Sequence, residues 1–110
     1  MSQTPNTISP AADAQLMLEG TKFRVNSWQL RAQVVDALVR RPQSDRILIV
    51  EECVKLQVQI LDAKTEIIMA IAEAKGAAIV DPDNWRDFES ALDDIVETLR
   101  RVERRARLDL

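Results

Sequence analysis

Apolar residues recur through most of this chain at alternating steps of four and three. That spacing places them along one stripe of an α-helix and on both faces of a strand. In the middle of the chain Ile49, Cys53, Leu56, Ile60, Ala63, Ile67, Ala70 and Ala74 follow it, and a second column, Ile47, Val54, Leu61 and Ile68, repeats every seven. Together the two cover an arc of roughly 160°, wide enough to face two neighbouring helices. Towards the carboxyl end Trp85, Phe88, Leu92, Ile95, Leu99, Val102 and Ala106 step three and four without exception between charged neighbours, as in a coiled-coil seam. The first segment is less regular. Leu16, Phe23, Leu30 and Ala37 with Val34 form its expected inner stripe, with Trp28, Val35 and Leu38 beside them. Gly20 and Ser27 fall on the same stripe. The serine either bonds back to the carbonyl four residues earlier and is buried, or marks an end that is not buried.

Start and stop signals divide the chain. Ser9-Pro10 reads as an N-cap followed by proline at the first helical position, and Arg40-Arg41-Pro42 as a helix end. Gly20-Thr21 is a candidate break within that helix. Ser44-Asp45 opens a second helix that Gly76 terminates, and Asp81-Pro82-Asp83 opens a third. The expected helices are therefore 10–41, 44–75 and 82–107. They follow a small polar segment, 1–9, read as a flexible tail, and residues 10–110 form one domain. Short connectors favour antiparallel neighbours, giving an all-α, elongated, antiparallel three-helix bundle with coiled-coil-like packing. The middle helix is expected to be sandwiched on both sides, so Leu61→Asp is expected to unfold the domain. An Ile47, Val54, Leu61 and Ile68 column standing in water, with no chain over it, would remove the ground for that arrangement and for docking. The first and third helices run the same way in this bundle, which gathers Phe23, Trp28, Trp85 and Phe88 at one end and predicts a Trp28–Trp85 contact.

Residue types exclude much chemistry. With no histidine there is no imidazole base, no Ser/His or Cys/His pair and no His-ligated metal. The single cysteine, Cys53, excludes an internal disulfide, and two glycines do not build a phosphate-cradling loop. The neighbouring carboxylates Glu51-Glu52 and Asp93-Asp94 diverge by about 100° on a helix, so neither pair converges on a substrate. Asp62, Glu66 and Glu73 lack the histidines that bundle di-metal sites use. The expectation is a protein without catalytic, metal or cofactor sites. No apolar stretch is long enough to span a membrane and no signal peptide is evident, which leads to the expectation of a cytoplasmic protein.

The net charge of −3 conceals a segregation. Residues 21–42 carry five bases and one acid, residues 81–97 one base and seven acids, and residues 98–110 five bases and two acids. On the bundle, Arg40, Arg41, Arg100, Arg101, Arg104, Arg105 and Arg107 gather at one end and Asp81, Asp83, Asp87, Asp93 and Asp94 at the other. Acids first and bases last compensate each helix dipole, at about 0.3–1 kcal/mol per charge. The same placement offers the arginines to an anionic partner. A nucleic-acid or regulatory role is the alternative reading, although a pI near 5.0 and the absence of aromatics between the arginines oppose it.

The favoured reading is a non-catalytic interaction module that self-associates or docks on a helical partner, as a subunit or adaptor of a larger assembly. Its candidate contact residues lie off the expected inner stripes: Leu18, Val25 and Val39 on the first helix, and Leu48, Val58 and Met69 on the second. Eleven arginines against four lysines point to a GC-rich bacterial or phage genome. Trp28 and Trp85 both lack glycine two residues on, so the Trp-x-Gly turn of small secreted helical hairpins is missing.

Overall fold

A computed structural model describes residues 9–74 and 81–110. It holds three helices, α1 (Pro10–Val39), α2 (Arg46–Glu73) and α3 (Pro82–Leu108), each packed on the other two. Among the described residues there is no strand. The chain is thus an elongated three-helix bundle. Residues 1–8 of the expected tail, Gly76 and the connector 77–80 lie outside the described residues.

The helix starts follow from local hydrogen bonding. Ser9 Oγ accepts from the Ala12 amide at 3.2 Å, with Pro10 opening the helix. Asp81 caps α3 by accepting from Asp83 N at 3.0 Å. For α2 the cap is Asp45, whose carboxylate accepts from the Ile47 and Leu48 amides at 3.0 and 3.2 Å. Ser44 instead donates its hydroxyl to the Arg41 carbonyl within the turn. Gly20 does not break α1, which is continuous through it.

Each helix buries one four-three series. On α3 it is the expected one, from half-buried Trp85 to Ala106. On α2 it is Ile49 to Ala74, again as expected. On α1 the expected stripe is wrong, although Trp28, Val35 and half-buried Leu38, expected beside it, do turn inward. Ala14, Leu18, Thr21, Val25, Trp28, Ala32, Val35 and Val39 face inward, Val25 being half-buried. Leu16, Phe23, Leu30 and Val34 face water, Phe23 at 84% exposure. The two α1 series are offset by two residues, about 200° around the helix, so burying one exposes the other. Ser27 is exposed, so the second of its two alternatives holds, and a back-bond of that kind is made instead by Thr21, which donates its hydroxyl to the Met17 carbonyl at 2.8 Å.

Two further expectations fail. The Ile47, Val54, Leu61 and Ile68 column is not sandwiched; these residues are 58%, 39%, 62% and 45% exposed. One stripe of α2 serves both neighbours, and the docking argument built on a doubly covered helix falls with the second. The four-aromatic cluster does not form either. Trp85 tilts against Phe88 with ring centres 5.8 Å apart, whereas Trp28 carries the Arg24 guanidinium 4.8 Å above its ring and Phe23 points outward.

Polar contacts fix the register around the core. Lys22 reaches Asn84 at 3.1 Å, Arg31 pairs with Glu52, and Gln57 donates to Glu103 at 2.8 Å. Lys64 lies 3.4 and 3.5 Å from Glu89 and Asp93. Arg46 ties three helix ends together, donating to the Val39 carbonyl and pairing with Asp109 at 3.2 Å.

Burial reverses the expected effect of charge on α2. Leu56, fully buried, becomes the sensitive position: Leu56→Asp should cost more than about 4 kcal/mol and abolish cooperative melting. Leu61→Asp, at low protein concentration, should stay within about 0.5 kcal/mol of the parent, and paired thermal melts followed by circular dichroism compare the two. Gly20 has open space where a Cβ would sit, so Gly20→Ala should add about 0.5–1 kcal/mol and raise Tm in the same measurement.

Candidate interaction surface

Three of the six apolar candidates are core residues. Leu18 and Val39 are fully buried, and Val25 packs half-buried against the core cluster. The reason is the α1 face reversal: they belong to the inward series. Leu48, Val58 and Met69 stand on the surface at 60%, 51% and 65% exposure.

The exposed residues form an ordered set. On α2 they align as Ile47, Glu51, Val54, Val58, Leu61, Thr65, Ile68 and Ala72, again stepping four and three, with Leu48 and Met69 on one flank. Leu16, Gly20, Phe23, Ser27, Leu30, Val34 and Ala37 do the same on α1. Each of these helices therefore carries a second coiled-coil seam on the side away from the core. α3 carries none: the positions two beyond its buried series are Asp87, Ser90, Asp94, Glu97, Arg101 and Arg104, with Leu108 the single apolar member at the helix end. The α2 seam is bordered by grooves on both sides. One of about 630 Å³ runs between Val54, Val58 and Leu61 and α3 residues Val96 and Arg100. The other, about 620 Å³, lies between Leu48 on α2 and Val34 and Leu38 on α1. The outward set Leu16, Phe23, Leu30, Val34, Ile47, Val54, Leu61 and Ile68 was assigned to the interior by periodicity. The signal that marks it is the presence of two heptad series on one helix.

The arginines at the carboxyl ends of α1 and α3 do gather at one end of the bundle, where acids occupy several of them. Asp36 sits between Arg40 at 3.1 Å and Arg101 at 3.6 Å. Arg104 lies 3.9 Å from Glu97, and Arg107 2.8 Å from Glu103. Among the described residues Arg41, Arg100 and Arg105 form no ion pair. Arg105 joins Asp36, Arg40 and Arg101 around a small cleft in which the carboxylate opposes any anion. Carboxylates thus engage four of the seven arginines of the patch.

Two titrating groups are shifted by their surroundings, buried Cys53 and half-buried Glu103. Burial, reinforced by the Glu103 and Glu52 carboxylates, pushes the Cys53 thiol up to about 11, so it stays protonated and unreactive at neutral pH. The Arg107 hydrogen bond holds Glu103 below its ordinary 4.5, assisted by Gln57 and opposed by partial burial. Among the described residues no helix is long and apolar enough to cross a membrane.

Comparison with known protein families, with curated proteins and with solved structures finds no match for this chain.

Because the folded state lowers the Glu103 value, the stability it contributes is present above pH 4.5 and is lost as pH falls through the lowered value. Thermal melts of the parent and Glu103→Gln should therefore differ near neutral pH and converge in acid below pH 4.5.

Proposed function

We propose that this chain is a non-catalytic helical interaction module that associates through the outer seams of α1 and α2, as a subunit or adaptor of a larger assembly. The observation that carries the reading is the second four-three series on each of these helices, exposed along its length, where α3 shows charges and Ser90 up to its terminal Leu108. Scattered exposed leucines are ordinary, but a heptad-spaced row is the pattern by which one helix accepts the knobs of another. A partner helix laid on such a seam buries side chains each worth about 1.5–3 kcal/mol. This ground differs from the one periodicity first supplied, since Leu18, Val25 and Val39 play no part in it. A bacterial or phage setting, suggested by the arginine excess, and a cytoplasmic location belong to the same reading.

A photo-reactive residue replacing Leu61 tests it, with one replacing Ser90 on the charged face of α3 as control. The expected result, in an extract of the source cells, is an adduct from position 61 to a polypeptide segment with heptad-spaced apolar residues, and none from position 90. No polypeptide adduct at position 61 defeats the proposal, and retention on DNA at low salt without such an adduct would favour the arginine end instead.

A further inference from the structure

We infer that the occupant of the α2 outer seam is a second copy of this chain, turned end for end about a two-fold axis perpendicular to α2 near residues 58 to 60; this rests on the interaction reading above. The inference comes from the exposed column flanking the seam, Leu48, Lys55, Asp62 and Met69. Read against its own reverse, this column sets Leu48 beside Met69 and Lys55 beside Asp62, and a two-fold axis makes each contact twice. Lys55 and Asp62 take part in no ion pair among the described residues. Seven residues apart on one helix, they are about 10 Å from each other, too far to pair within the chain. A second copy supplies each with its opposite.

The other flank of the seam needs no partner. There Gln57 and Lys64 are already held by α3 through Glu103, Glu89 and Asp93. The seam itself favours the same orientation. In the end-for-end pair Val58 of one copy faces Leu61 of the other, and the two Glu51 carboxylates lie at opposite ends of the contact. A parallel pair would set Glu51 directly against its twin along a dehydrated seam. The bundle ends agree, because α2 begins at the arginine end and finishes towards the acidic end. Reversal brings opposite charges together, where a parallel pair would stack like on like.

Light scattering on the eluting purified chain, over rising concentration, tests this. The parent is expected at twice the monomer mass. Leu61→Asp should run as a monomer with an unchanged circular dichroism spectrum, whereas Leu30→Asp, on the α1 seam, should remain a dimer. Lys55→Asp should raise the dimer dissociation constant about tenfold, ~1.4 kcal/mol over the two symmetric contacts, and the double exchange Lys55→Asp with Asp62→Lys should restore it. A parent that stays monomeric at its highest soluble concentration overturns the self-pairing, as does a dimer indifferent to Leu61→Asp. A dimer indifferent to the single charge changes overturns the orientation. Should the parent be monomeric while a probe at position 61 still labels a heptad-patterned segment of another protein, self-pairing falls and the interaction reading stands. Without that label both fall.

Discussion

Three helices that meet along a common axis can cover only one stripe of each. This limit governs the rest of the molecule. Residues two apart on a helix point about 200° from one another, so two four-three series offset by two positions lie on nearly opposite sides. α3 has one series and its orientation is forced. α1 and α2 each have two, and in each the bundle takes one and leaves the other in water. The exposed rows are thus a direct consequence of packing two double-faced helices with one single-faced helix.

The choice on α1 has a local logic. The buried series mixes large side chains, Leu18 and Trp28, with small ones, Ala14 and Ala32, which lets facing positions interdigitate. Its one polar member, Thr21, satisfies its hydroxyl within the helix, so burial leaves no unpaired donor. The rejected series would have put Gly20 and Ser27 in the core. Charges then hold the register chosen. Each contact contributes little by itself, but the Arg31–Glu52, Lys64–Asp93 and Arg46–Asp109 ion pairs and the Gln57–Glu103 hydrogen bond link all three helices along their length. The same contacts draw on the charge that a view of the linear chain leaves free for partners. Asp36 alone engages arginines from two helices.

Much of the fold was legible without coordinates. The seam of α3 is read correctly because charges occupy most of its other face, whereas on α2 the inner stripe is read correctly but the opposite column is read as inner too. Ser9-Pro10 and Asp81-Pro82 mark helix starts because an oxygen acceptor followed by proline suits the first turn and little else. The candidate surface was legible only in part. Leu48, Val58 and Met69 are exposed as expected, whereas Leu18, Val25 and Val39 are interior and the longest exposed row was taken for core. An apolar column announces that it favours burial; it does not say whether its own chain has a helix left to bury it.

Periodicity, caps and residue types by themselves determined that the chain forms three long helices joined by short connections, and that it has no imidazole and no internal disulfide. Those properties are local: they depend on neighbours within a few positions along one helix. Only the tertiary structure decided which face of α1 turned inward, that one stripe of α2 serves two neighbours, and which arginines are neutralised by carboxylates from other segments. These depend on how many helices are present and where their ends meet, a geometric count that no single helix's pattern contains.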